Sequence, residues 1–139
     1  MTRGSESGFV ATELVLALGL LVLPVALLVL TLPGWSERQV TARVISREVA
    51  RRTAREGVCD VAGARALTAT MAANLDVPSG DLSIDVSCVD GVVLTPGADV
   101  EARVTVRMPA VELPGVGAVG SWSWTARHRE PVDRYAAAA

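Results

Sequence analysis

The sequence is poor in the side chains that bind metals or perform catalysis. It contains one histidine and two cysteines in 139 residues, and the cysteines do not form a Cys-x-x-Cys motif. A structural zinc ion takes four such ligands, so the residues for a zinc site are lacking. No glycine-rich loop lies between a strand and a helix, where a phosphate would bind. We therefore expect no metal, no cofactor and no enzymatic activity.

The net charge is small, and aromatic side chains are scarce. The net charge is −2, aromatic residues make up 4% of the chain, and all 13 basic residues are arginine. A total charge this close to zero gives no electrostatic reason to expect a nucleic acid partner. The length leaves room for one apolar helix and one small domain.

A long apolar run occupies residues 9–32. It contains ten leucines and five valines, and Glu13 is its only charged residue. As a helix, the run would reach about 36 Å, which exceeds the roughly 30 Å of a bilayer's hydrocarbon core. The sequence therefore predicts a transmembrane helix at 9–32, in contact with the lipid bilayer. No small-residue cleavage site of the secretory type follows this run, so we expect the helix to be retained.

Glu13 is the unusual residue of this run. A carboxylate within a membrane costs about 3 kcal/mol, whereas each Leu, Val or Phe returns about 0.3–0.6 kcal/mol. The apolar residues together outweigh the acid, so insertion tolerates Glu13 without explaining it. Because acids inside membranes are commonly functional, we expect a role for Glu13. The alternative is a protonated or snorkelling glutamate without a role.

Gly8, Phe9 and Glu13 form a motif at the start of the run, with the acid at the fifth position counted from the phenylalanine. This arrangement resembles the processing signal of type IV prepilins and pseudopilins. In that family, a prepilin peptidase cuts after the glycine on the cytoplasmic side. The resemblance implies a leader peptide at 1–8, cleavage between Gly8 and Phe9, and an assembly role for Glu13. The freed amine of one subunit and the carboxylate of its neighbour would then pair, since neither is stable alone in an apolar environment.

The C-terminal end adds to this resemblance. Residues 130–135 read Glu-Pro-Val-Asp-Arg-Tyr. Together with the N-terminal motif, the two-part helix and the two cysteines, this ending resembles TadE-like proteins, which are pseudopilin or minor pilin components of the Tad (Flp, type IV) pilus system. The resemblance implies a role in assembling a Tad-type pilus or secretion apparatus, with other pilin subunits and the assembly machinery as partners. The alternative is a single-pass, membrane-tethered extracytoplasmic binding module with no filament role.

A helical stem is predicted at 33–57. Pro33-Gly34 predicts a break at the membrane exit, and Ser36 with Gln39 forms a capping box that would start a new helix. Gly57 is a typical helix stop. The stem carries a narrow apolar stripe, which consists of Val40, Val44, Ile45 and Val49. A row of arginines repeats every four residues on another face, namely Arg43, Arg47, Arg51 and Arg55.

These arginines bear on partners and on orientation. They form either a solvated face or a surface for acidic groups of a neighbouring subunit or lipid headgroups. The positive-inside rule favours the arginine-rich side as cytoplasmic, whereas the resemblance places it outside. Long C-terminal domains translocate largely regardless of charge, so we expect an extracytoplasmic domain at 58–139. Cys59 and Cys88 would form a disulfide there, closing a loop of about 30 residues. Two free buried thiols are the alternative.

The remaining sequence predicts a second helix and a sheet. Leu67, Met71 and Leu75 are at helical spacing in the segment 60–75. Apolar and polar residues then alternate in three segments, 82–88, 100–108 and 121–129, which predicts an antiparallel sheet with one buried face. His128 falls on the apolar face of the last strand as a core or edge residue. The predicted fold is therefore α+β and pilin-like, with a transmembrane helix that continues into an amphipathic helix packed on a small antiparallel β-sheet.

Overall fold

The computed structural model of the chain describes residues 6–88, 91–113 and 117–134. The elements are α1 (Glu6–Glu56), α2 (Val61–Asn74), a short 3-10 turn (Ser79–Asp81), β1 (Leu82–Cys88), β2 (Asp99–Leu113) and β3 (Gly117–Pro131). The three strands form one antiparallel sheet in the order β1-β2-β3. The α+β layout predicted from the sequence is therefore present. Most of the predicted leader, residues 114–116 between β2 and β3, and Tyr135 of the C-terminal motif lie outside the described residues.

α1 is one helix of 51 residues that contains both Pro24 and Pro33. The break predicted at Pro33-Gly34, with a new helix starting at Ser36, is wrong. Tertiary contacts override the local signal, as they often do. Directly after the break signal, the Trp35 indole donates to the carbonyl of Pro109 at 2.7 Å, and Arg38 donates to the carbonyl of Arg107 at 2.8 Å. These contacts hold the helical turn that follows Pro33 against the sheet.

The second half of α1 covers one face of the sheet. The buried face of β2 consists of Val100, Ala102, Val104, Val106 and Met108, each 0% exposed. On α1 the facing side chains are Ala42, Ile45, Val49, Ala50 and Ala54. The predicted alternation in β2 and the predicted helical cover are therefore confirmed. The predicted apolar stripe was only half right, because Val40 and Val44 are 51% and 48% exposed while small residues occupy the buried positions.

α2 and the disulfide close the far end of the domain. The Asp60 carboxylate caps α2 by accepting from the Gly63 N–H at 2.9 Å. Ala64, Thr68 and Ala72 are buried, whereas Leu75 is 45% exposed. The predicted disulfide between Cys59 and Cys88 is present, with a Cα–Cα distance of 6.3 Å. It ties the segment before α2 to the end of β1.

β2 and β3 are longer than the sequence predicted. Each has 15 residues, and their pairing runs from Asp99 opposite Pro131 to Leu113 opposite Gly117. The hairpin therefore extends beyond Met108, where the predicted second strand ended. Residues 92–94 are apolar but form no strand, and Val93 makes only an isolated bridge to Val58.

Candidate functional site

The first half of α1 is an apolar surface open on nearly all sides. Every described side chain from 12 to 30 is exposed except Leu27, which is half-buried. The helix is long and apolar enough to cross a membrane. Water is a poor environment for so much exposed leucine and valine, so this half needs lipid or other apolar helices around it.

Glu13 lies at the beginning of this surface with its side chain exposed. Its neighbours one turn further along the helix are Leu16 and Ala17, both exposed and apolar. Among the described residues, Glu13 has no ion-pair partner. The arrangement therefore presents one carboxylate in an apolar surface, available to a cation from outside the chain.

The processing motif lies on the same helix. Gly8 and Phe9 belong to the first turns of α1, and their side chains are not among those described. Phe9 and Glu13 are four residues apart, so they occupy the same side of the helix, about 6 Å apart along its axis. The predicted cleavage position and the predicted assembly residue are therefore about one helical turn apart in α1.

A basic groove lies between α1 and β3. Arg43 and Arg47 of the helix and Arg127 and His128 of the strand line this groove, whose volume is about 420 Å³. The Arg43 guanidinium lies 5.1 Å from the centroid of the Trp124 ring, within cation–π range. His128 is half-buried, and its Nε2 is 3.1 Å from a Glu130 carboxylate oxygen. The guanidinium groups of Arg43 and Arg47, on the helix side of this groove, favour an anionic ligand.

The sequence indicated only part of this groove. The arginine row of the stem predicted Arg43 and Arg47 on a common face, but not their meeting with β3. Arg127 is exposed, and its register partner is Arg103 of the outer face. The meeting of the stem with β3 depends on how the edge strand lies against the helix, which periodicity does not specify. Arg51 and Arg55 of the same row are exposed at the surface.

The outer face of the sheet is polar and carries a charge cluster around Glu101. The Glu101 carboxylate accepts hydrogen bonds from Arg103 Nε and, at 2.7 Å, from Arg129 Nε. These two bonds, that of Arg103 first, lower the pKa of Glu101 below its ordinary value. Glu101 in turn raises the pKa of Arg129, mainly through the same bond. Since Glu101 is only 8% exposed, this cluster holds β2 and β3 together and leaves little of the carboxylate for a ligand.

No described set of three histidine, cysteine or acidic side chains is arranged to hold a metal ion. The chain is thus an α+β protein with a small three-stranded sheet and an N-terminal helix long enough and apolar enough to span a membrane. Comparison with protein families, with curated proteins and with solved structures gives no match.

Proposed function

We propose that the chain is a membrane-anchored pseudopilin or minor pilin that takes part in assembling a Tad-type (type IV-like) pilus or secretion apparatus. The observation that carries the proposal is the division of α1 into two halves. The first half is an exposed apolar helix that contains one acid, Glu13, and the second half is covered by an antiparallel sheet. An exposed apolar helix with a fixed domain at one end is suited to lateral packing with other such helices in a membrane.

In the proposed mechanism, a prepilin peptidase removes residues 1–8 and leaves a free amine on Phe9. The amine and the Glu13 carboxylate are opposite charges in an apolar environment, where each is stable only when paired. Pairing the amine of one subunit with Glu13 of the next satisfies both and sets the axial offset between neighbouring helices. The inserted helices contact one another through their apolar side chains, and the charge pair sets the axial register between neighbouring helices.

The disulfide supports an extracytoplasmic position for the domain at 58–139. Disulfides form and persist outside the cytoplasm and are rare within it. The bond between Cys59 and Cys88 joins two segments that are 29 residues apart, so it is a structural link of the domain. The proposed protein is therefore a single-pass membrane protein whose C-terminal domain lies outside the cytoplasm.

The proposal is tested by co-expressing the chain with a prepilin peptidase and determining the mature N-terminus by mass spectrometry. We expect a chain that begins at Phe9, and we expect no cleavage with an inactive peptidase or with a Gly8→Leu substitution. A chain that still begins at Met1 beside active peptidase would contradict the proposal. Digestion of the C-terminal tail by protease added to intact cells tests the orientation independently.

A second candidate function is a membrane-tethered binding module with no filament role. The observation in its favour is the basic groove between α1 and β3, which has the charge and the volume to bind an anionic group. An unprocessed chain whose groove binds an acidic ligand would favour this candidate over assembly. In that case an Arg47→Gln substitution in the groove would abolish binding, whereas Glu13→Val would leave it unchanged.

A further inference from the structure

The β2–β3 hairpin continues past the domain core toward the apolar half of α1. Two contacts fix its direction: Arg38 donates to the carbonyl of Arg107, and Trp35 donates to the carbonyl of Pro109. Residue numbers rise along β2 as they fall along α1, so the two elements run antiparallel. The last residues of β2, 110–113, therefore lie beside turns of α1 that precede Trp35.

The burial of α1 shows how far the hairpin reaches. Side chains covered on the sheet side recur every three or four residues toward the N-terminus, at Ala42, Arg38, Trp35, Thr31 and Leu27. Thr31 is only 7% exposed, although residues 28–30 and 32–34 on either side of it are exposed. The four strand residues after Pro109 add about 13 Å, which corresponds to about nine helical residues. Both measures place the end of the hairpin level with Leu27, inside the apolar run 9–32.

The hairpin is apolar where it passes this part of the helix. Glu112 is the only charged residue between Arg107 of β2 and Arg127 of β3. Val119 is 50% exposed and Trp122 is 40% exposed, so apolar groups face outward as well as toward α1. Trp122 also meets Trp35 edge to face, with the ring centroids 5.9 Å apart. Two adjacent indoles are typical of the headgroup level of a bilayer.

We propose that the end of the hairpin, residues 109–113 and 117–122, is seated in the headgroup boundary of the bilayer that α1 enters. The proposal rests on the membrane anchoring in the proposed function, but not on pilus assembly. The occupant of this surface is lipid, because the surface is continuous with the exposed apolar half of α1. With the hairpin end at Leu27, residues 9–26 remain to cross the bilayer, and their length of about 27 Å is close to that of the hydrocarbon core.

A second membrane contact would have a mechanical consequence for the domain. A helix alone leaves the sheet free to tilt with α1 and to rotate about its axis. An apolar hairpin held in the boundary beside the helix fixes the side of α1 that faces the membrane surface, and it fixes the height of the sheet above the lipid. The domain would then present the same face to every neighbouring subunit.

The test uses an environment-sensitive fluorophore on single cysteines in the full chain, reconstituted in phosphatidylcholine vesicles. Both native cysteines are in the disulfide, so a new thiol is labelled alone. The labelled positions are Val119→Cys in the hairpin end, Ser123→Cys about 13 Å further along β3, Val92→Cys in an exposed loop and Leu23→Cys in the apolar helix. Quenching by spin-labelled lipid reports lipid contact, and quenching by iodide reports water.

We expect lipid quenching at position 119 to be several-fold stronger than at 92, with an intermediate value at 123 and the strongest quenching at 23. Iodide should quench in the opposite order. If lipid quenching at position 119 equals that at position 92 while position 23 is strongly quenched, the hairpin lies in water. The inference then fails, but the membrane anchoring of α1 is supported. If 119 is shielded from both quenchers, the hairpin packs on protein, and the inference also fails. If 23 escapes lipid quenching, the anchoring fails and the inference fails with it.

Discussion

The indole N–H of Trp35 donates to the backbone carbonyl of Pro109, 2.7 Å away and 74 residues later in the chain. Trp35 follows the Pro33-Gly34 pair, which would end most helices, and Pro109 begins the part of the hairpin that passes beyond the core. One hydrogen bond therefore joins the middle of α1 to the base of the hairpin end. It explains why the helix is fixed against the sheet where local sequence predicts a break.

Trp35→Phe should destabilise the domain by about 1–2 kcal/mol, because it removes the donor and leaves the Pro109 carbonyl without this partner. Denaturant unfolding of the full chain in detergent, followed by far-ultraviolet circular dichroism, measures the change. Trp122→Phe is the matched control, because it makes the same change on the other ring of the Trp35–Trp122 contact and leaves the hydrogen bond to Pro109 in place. An equal loss in both variants would show that the ring contact, and not the hydrogen bond, stabilises this junction.

Ile45 and Val44 provide a direct test of which side of α1 is the core side. Ile45 is 0% exposed and Val44 is 48% exposed, although they are adjacent in sequence. Ile45→Ala should cost about 2–5 kcal/mol by opening a cavity against the sheet. Val44→Ala should change the free energy of unfolding by no more than about 0.5 kcal/mol, as surface substitutions usually do. Comparable losses from the two would contradict the packing described.

The sequence predicted the secondary structure elements better than it predicted where they end and which residues pack between them. Alternation identified the buried face of β2 from Val100 to Met108 because a period of two is specific to a half-buried strand. It did not predict the strand from 109 to 113, where Pro109 and consecutive apolar residues interrupt the alternation. The stem differs more from its prediction, because three of its five buried apolar residues are alanine. Alanine contributes little to a hydrophobic pattern, so the predicted stripe includes the exposed residues Val40 and Val44 instead.

Some features of the candidate site could be predicted from the sequence, and others could not. Glu13 and the cysteine pair are visible in the sequence because each is an isolated chemical anomaly, a charge in an apolar run and two thiols in a small domain. The basic groove and the position of the hairpin beside Trp35 cannot be read from the sequence, because they depend on which side of α1 meets which strand. That choice is set by long-range contacts such as Trp35 with Pro109.

Loss of the disulfide should lower stability by about 3–4 kcal/mol, since the bond closes a loop of about 30 residues in the unfolded chain. Reductant should therefore shift the unfolding of the native chain to lower denaturant. A Cys59→Ser, Cys88→Ser double variant should unfold at the shifted midpoint with or without reductant. Sensitivity of the double variant to reductant would show that the effect does not arise from this bond.

Glu101 should give the domain a specific acid sensitivity. Its pKa is lowered in the folded state by the bonds from Arg103 and Arg129. The stabilising contribution is therefore complete above the pKa of the carboxyl in the unfolded chain, and it is lost as the pH falls through the lower folded-state pKa. Unfolding midpoints measured from about pH 7 to about pH 3 should fall less steeply for Glu101→Gln than for the native chain.

The matched control for this pH series is Asp76→Asn, which removes a carboxylate from a turn where the backbone has a φ of 54°. Asparagine tolerates such a φ, so the turn is preserved. This variant shows whether the loss of any one carboxylate flattens the pH dependence. If Glu101→Gln follows the pH dependence of the native chain, or if Asp76→Asn flattens it as much as Glu101→Gln does, the cluster on the outer face is not a specific source of acid sensitivity.

Glu13→Val should separate insertion from assembly. Removing the carboxylate relieves a cost of about 3 kcal/mol in the membrane, so the variant should insert at least as well as the native chain. It should nevertheless fail to co-purify with pilin partners, because the freed amine of a neighbouring subunit would have no carboxylate to pair with. Recovery from the membrane fraction and co-purification measure the two outcomes.

Two controls make the Glu13 result specific. Mass spectrometry should show Phe9 as the mature N-terminus of Glu13→Val, so that lost assembly is not a consequence of lost processing. Glu13→Asp keeps the charge but shortens its reach, and it should therefore retain part of the partner binding that Glu13→Val loses. Equal co-purification of all three chains would mean that the pairing of Glu13 with a freed amine does not hold the subunits together, because Glu13 is the only acidic side chain in 9–32.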